Sequence, residues 1–282
     1  VTRRVSAKTG GAQNKAEVKA TTTGAGADAN TQTGGLEPIG FELPRVTEAS
    51  RARAAELYDA LLAAYPDAHC ELDYSTPHEL LVATILSAQA TDVSVNKATP
   101  GLFGAFPTPA AYVEAGAAGI EPYIRTIGLY RNKAKSVFEA MKQIVEKHGG
   151  EVPRTMRELL ELRGVARKTA GVVLGNAFEI NMGVVVDTHV HRLSQRLGLV
   201  KPGTNVMQTE RRLMALLPRE KWCMVSHLLI FHGRRCCKAR GVECPASGAK
   251  GAGALSAGER VCEKFGVACE LRVKGRGVRA EV

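Results

Sequence analysis

The sequence runs to 282 residues, 45% of them hydrophobic, enough for one large domain or two small ones. Aromatic residues make up only 5% while Gly and Ala abound, which suits close-packed helices and argues against a β-sandwich. The formal charge of +10 favours an anionic partner, nucleic acid first, and no apolar run approaches the roughly 18–20 residues that cross a membrane.

Residues 1–47 are rich in Thr, Gly, Ala and charge. Stretches such as Thr21 to Gly26 bury nothing, so the segment reads as a disordered basic tail. Its first residues lack the apolar core of a secretory signal, and the expected location is the cytoplasm, on the nucleoid. From Thr47 the pattern turns helical. Ala54, Leu57, Leu61 and Leu62 recur at helical spacing behind a cap at Thr47 or Ser50. Thr76 offers a second cap, with Pro77 at the first helical position and Glu79 placed to complete a capping box. Further helices are expected over 91–104, 109–115, 117–125, 130–148 and 154–161. Turn signals such as Gly149-Gly150 and Val152-Pro153 separate them. Val184 to Val186 is strongly β-like but too short to imply a sheet, and it reads as a buried connection. The expected class is all-α.

Leu159 to Ala170 ends one helix and begins another, with Gly164 at the turn. Such a hairpin can present the free N–H groups of the second helix to a phosphate; it is also a common way to join two helices. Lys168 lies in the first turn of that second helix. A free lysine has a pKa near 10.4, so a nucleophilic amine needs partial burial or a helix N-terminus to raise its neutral fraction. A plain phosphate contact is the simpler role. Asp187, after the valine run, is a good N-cap by residue type and also a possible acidic partner for Lys168.

There are seven cysteines, five of them (Cys236, Cys237, Cys244, Cys262 and Cys269) in the C-terminal stretch. Clustered cysteines in a reducing compartment bind metal more often than they pair. The intervening segment 245–259 is Gly/Ala-rich and looks like a flexible loop. Cys70 and Cys223 read as small buried residues.

Three blocks carry a family resemblance: Leu86 to Thr99, Thr126 to Ala134, and Leu162 through Lys168 to Asp187-Thr188-His189. His232-Gly233-Arg234 fits as well. Over roughly residues 50–270 the chain resembles endonuclease III, the iron–sulfur branch of the helix-hairpin-helix DNA glycosylase superfamily. The resemblance implies two domains with a DNA cleft between them. A six-helix barrel domain would span 70–180, and an iron–sulfur cluster domain would join 48–69 to 181–282. Lys168 matches the Schiff-base lysine of the family and Asp187 its catalytic aspartate. Gln89 matches a residue that fills the gap left by an extruded base, and Leu129 a wedge in the duplex. Ile127, Arg163, Gly164, Ala166 and Arg167 fall in the blocks expected to touch DNA. The implied partner is double-stranded DNA with oxidised pyrimidines or abasic sites, bound by a monomer. An adenine mismatch glycosylase, which would lack the lysine, and a catalytically silent DNA-binding homologue are the rival readings.

The resemblance also implies a 4Fe-4S cluster in a C-x6-C-x2-C-x5-C pattern. Cys237 and Cys244 reproduce the first spacing, but 17 residues then separate Cys244 from Cys262 and six separate Cys262 from Cys269. Ser247 stands where the third cysteine belongs. A longer loop adds only about 0.6 kcal/mol of closure entropy per doubling, so Cys237, Cys244, Cys262 and Cys269 are the expected ligands, with Cys236 a competitor and a zinc site the alternative. The hairpin departs too, with Arg163 where the family usually has Pro and Ala166 where it has Gly.

Overall fold

Helix starts follow the short polar side chains along the chain. In the computed structural model, which describes residues 38–239 and 255–267, Thr47 caps α1 (Glu48–Ala64), Thr76 caps α2 (Pro77–Leu86) and Thr91 caps α3 (Asp92–Ala105). Thr108 caps α4 (Pro109–Ile124) and Thr155 caps α6 (Met156–Glu161). Asp187 caps α8 (Thr188–Arg196), Asn205 caps α9 (Val206–Leu216) and Ser256 caps α11 (Ala257–Phe265). Each side chain accepts the N–H three residues on, satisfying a donor that the helix itself cannot. At Thr76 the expected capping box forms, with Glu79 reaching back to the cap. Three helices start without such a side chain: α5 (Tyr130–His148), α7 (Arg167–Ala177) and α10 (Trp222–Arg235).

The apolar faces of these helices form two clusters. The first runs from Leu72 to Met182 and is built on α2, whose residues Leu80 to Leu86 are all buried. Around it α4 packs along α5, and α7 lies against α2. The second joins α1 to the chain from Val184 onward, with α8 against α10 and α1 against α11. The chain crosses between the clusters at Gly183. The described residues contain no strand, and Val184 to Val186 form the expected connection, with Val184 2% exposed.

Polar staples tie the clusters together. The His227 imidazole meets the Asn176 amide oxygen at 2.8 Å, and the Cys223 backbone N–H donates to Asn181 at 3.0 Å. Burial holds His227 down to about 4, which keeps it neutral in this setting.

Two boundaries differ from expectation. Ile39, Phe41, Leu43 and Val46 pack against the second cluster, so the expected tail gives way to ordered chain by residue 39; residues 1–37 lie outside the described residues. The expected helices 109–115 and 117–125 are both present within α4, separated at Gly116, whose φ of +64° is non-helical. The expected loop 245–259 ends early, because Ser256 and Glu259 make a capping box that starts α11.

After α7 the chain turns at Glu179, whose φ of +57° is left-handed, while the Ile180 N–H closes a bond of 2.9 Å onto the Leu174 carbonyl. This is the helix stop that normally uses glycine. A side chain there costs about 1–2 kcal/mol, part of which glycine returns as unfolded-state entropy. Glu179→Gly is therefore expected to raise the melting temperature by about 2–4 °C, the shift that about 1 kcal/mol produces in a chain of this size. Thermal unfolding checks it, and a lowered midpoint would contradict it.

Candidate active site and thiol cluster

Gly164 makes the hairpin between α6 and α7. Its φ is +80°, and a Cβ there would stand 2.9 Å from Ser136 Cβ on α5, so both the backbone angle and the packing require glycine. Ala166, at φ −96° and ψ 169°, is an ordinary extended N-cap with no side-chain hydrogen bond. Alanine therefore carries no backbone strain there, and what it adds over the family's usual glycine is a methyl at the helix start. Gly164, Ala166 and Arg163 are all exposed.

Lys168 is exposed at the start of α7. It lines a groove of about 390 Å³ with Arg167, Met182, Gly183, Val184 to Val186, Val206, Met207 and Glu210. The valine run leads directly to Asp187, which is half-buried and accepts the Val190 N–H at 2.7 Å through Oδ1. The cap role is thus real, and it uses one carboxylate oxygen.

Asp92, which the sequence reading passed over as the first residue of α3, completes the charge constellation. Burial and then the negative charge of Asp187 push its carboxyl above the usual range, against the pull of Lys168 and His189. Arg234 donates to Asp92 at 2.6 Å and also pairs with Glu71. The signal available in the sequence was an acid three residues after Gln89; its pairing with Arg234 is a tertiary fact.

Gln89 and Leu129 sit in the loops before α3 and α5. Both are exposed, Leu129 at 60%, and both have left-handed backbones, φ +54° and +59°. For non-glycine residues this is strain of the kind found at functional sites. Gln89 lies past the end of α2, so it is not the buried helical residue that its apolar surroundings suggest. Two of the residues expected to touch DNA make their side-chain contacts within the protein. Ile127 is 1% exposed and belongs to the first core, so it anchors the loop from below. Arg167 turns inward: its Nε donates to Glu210 at 3.1 Å, its NH2 group to the Met182 carbonyl at 3.1 Å, and its guanidinium lies over the Phe41 ring.

At the other end of α8, thiols gather. The donor atoms of His232, Cys236 and Cys262 lie within 4.8 Å of one another. Cys237 is 6% exposed, and Arg196 donates to its Sγ at 3.3 Å. His232 is fully buried, and its Nδ1 meets the Tyr65 hydroxyl at 2.9 Å. These soft donors, with an imidazole steered by a second hydrogen bond, form a site able to hold a thiophilic metal. Of the four expected ligands, Cys262 belongs to this group and Cys237 is buried beside it, the group's other cysteine being the competitor Cys236; Cys244 and Cys269 lie outside the described residues.

Known proteins resemble this chain closely. The model for HhH-GPD superfamily base excision DNA repair proteins matches residues 82–219. Proteins named endonuclease III from Synechocystis sp. and Bacillus subtilis are 52% and 47% identical over 198 and 184 residues, 70% and 64% of this chain and 90% and 84% of theirs. The chain also aligns with a trapped endonuclease III–DNA covalent intermediate at TM-score 0.66 and 43% identity, over 71% of this chain and 92% of that one. A non-covalent endonuclease III–DNA complex aligns at TM-score 0.69 and 38% identity, over 82% of this chain and 98% of that one.

The hairpin geometry separates its two small residues. Gly164→Ala should cost at least about 1–2 kcal/mol in backbone strain alone, plus the clash with Ser136. Ala166→Gly should be neutral or stabilising by a few tenths, since glycine caps better than alanine. Denaturant unfolding of both variants checks this, and equal costs would contradict the assigned angles.

Proposed function

The chain belongs to the endonuclease III family of HhH-GPD base excision repair proteins, and on that premise we propose that Lys168 and Asp187 carry its chemistry. It is a DNA glycosylase and abasic-site lyase. The observations that support the site are that Lys168 shares a groove with the valine run leading to Asp187, and that Asp92 feels the charges of both Lys168 and Asp187.

Flipping a nucleotide out of the duplex costs a few kcal/mol, less for a damaged base. Leu129 and Gln89, strained and exposed, would offset the lost stacking. The Lys168 amine attacks the sugar C1′, and the base leaves with the C1′–N bond electrons. Loss of the amine proton and opening of the sugar ring give an imine between Nζ and C1′. That imine acidifies the C2′ proton; its removal by a base breaks the C3′–O bond on the 3′ side by β-elimination. Asp187 stabilises the positive charge on the sugar as the base leaves. Asp92, paired with Arg234 at 2.6 Å, adds a second acidic group within the field of Lys168 and Asp187. Oxidised pyrimidines such as thymine glycol, and abasic sites, are the substrates proposed. The groups around Lys168 favour this reading over an adenine glycosylase or a silent homologue. The two hydrophobic clusters support two domains near the expected bounds, 70–180 on one side and 48–69 with 181–282 on the other. No described helix is long and apolar enough to cross a membrane.

Cys237, Cys244, Cys262 and Cys269 would hold a 4Fe-4S cluster, which contributes redox-active iron bound through thiolates. The compact grouping of His232, Cys236 and Cys262 favours a second reading, one tetrahedral ion such as zinc. Anaerobically purified protein is expected to contain about four irons per chain and to lose them on Cys262→Ser but not on Cys236→Ser. Stoichiometric zinc, lost in both variants, would establish the second reading.

Borohydride trapping on abasic DNA tests the chemistry. Lys168→Ala should abolish the covalent adduct while leaving binding nearly intact; a persistent adduct removes Lys168 from its role. Asp187→Asn should slow base removal strongly at little cost in stability, whereas Asp187→Ala should lose about 0.5–2 kcal/mol with its cap.

A further inference from the structure

Arg167 and Lys168 place two cations at the N-terminus of α7, where the helix dipole is already positive, and the first turn contains no acid to offset them. Ala166 supplies no cap. The Arg167 charge is settled from outside the helix. Glu210, only 17% exposed, takes its Nε, the Met182 carbonyl takes its NH2 group, and the Phe41 ring lies under the guanidinium at 5.1 Å. Arg211 stacks on the same ring at 4.6 Å. Space is kept for this assembly at Gly183, where a Cβ would fall 2.5 Å from Glu210 Oε1 and 3.3 Å from the Arg167 NH2 group. Phe41 belongs to a strap without regular structure, fastened to the second core by Ile39, Leu43 and Val46. Arg167, Gly183 and Glu210 line the same groove as Lys168.

We propose that the strap, through Phe41, is a positioning element for Lys168: it holds the Arg167 guanidinium on Glu210 and away from the DNA phosphates that α7 approaches. Phe41 touches no reacting atom and acts through Arg167. Without the ring, the guanidinium swings toward the strongest anion at hand, a phosphate, and draws the first turn of α7 with it. Binding then gains a salt-sensitive contact while the amine loses its alignment. This inference rests on Lys168 being the nucleophile.

The test uses the full chain with Phe41→Ala, Phe41→Leu and Phe41→Tyr. Single-turnover borohydride trapping at saturating abasic duplex gives the rate, and affinity across a salt series gives the number of phosphate contacts. Phe41→Ala and Phe41→Leu are expected to slow trapping by about five- to tenfold, the scale of a lost cation–π contact. They should also steepen the dependence of log K on log salt by about 0.9, one added phosphate. Phe41→Tyr, which keeps the π face, should match the unaltered chain in both. Because leucine preserves the apolar bulk, Phe41→Leu decides the matter if Phe41→Ala unfolds. A wild-type rate in Phe41→Leu, or a slowed rate with no change in salt slope, would overturn the proposal. Absence of an adduct with the unaltered protein would instead fail the Lys168 assignment.

Discussion

A helix that begins with two cations and no capping side chain has to be held in place by something other than itself. That constraint at the start of α7 organises much of this molecule. Gly164 lets α6 turn into α7 while touching Ser136 of α5, so the hairpin is seated on the first core. Ala170, one turn further, is fully buried in that core. From the other side, Glu210 of α9 and Phe41 of the strap fix Arg167. The cores thus meet around one helix end, and the groove beside Lys168 is what remains between them. Leaving out a cap forgoes about 0.5–2 kcal/mol. What is gained is a set of backbone N–H groups that no side chain has already taken.

The same trade appears at α5, which starts at Leu129 with no capping bond. Leu129 and Gln89 each hold a left-handed backbone that costs about 1–3 kcal/mol, and each stands on buried neighbours. Ile127 lies two residues before Leu129 and is sealed into the first core, where its N–H closes onto Ile124 at 2.9 Å. Leu86, the last residue of α2, is fully buried three residues before Gln89. A strained, exposed side chain can keep its aim only if the chain just behind it cannot move. The burial of Ile127 therefore explains how Leu129 can stand exposed.

What could be read from the sequence was local. Thr47, Thr76 and Asp187 announce their helices because a short side chain three residues from a free N–H needs no tertiary partner. The valine run before Asp187 gave the buried connection for the same reason. What escaped was long-range. Nothing near Arg167 in sequence says that its partners are Phe41, 126 residues earlier, and Glu210, 43 residues later. Position in a motif suggested DNA, and tertiary packing gave it other partners. Ser256 was hidden differently: its capping box lies in a Gly/Ala-rich stretch whose composition signals a loop. Asp92 is by position an ordinary first-turn acid, and its pairing with Arg234 is made only by the tertiary fold.

The thiol site gains its meaning from α8. That helix begins at Asp187, whose carboxylate serves both the cap and the proposed chemistry, and ends at Arg196. Along its length Arg192 donates to the Cys237 carbonyl at 2.9 Å, and at its end Arg196 donates to the Cys237 sulfur. Nine residues of helix span only about 14 Å, and a rod that short transmits a shift at one end to the other with little loss. A metal that fixes Cys237 would stiffen both arginine contacts, and a thiolate in place of a thiol would strengthen the bond from Arg196. The C-terminal thiols need not take part in any bond-making step to matter for it. They fasten the far end of the helix whose first turn Asp187 caps.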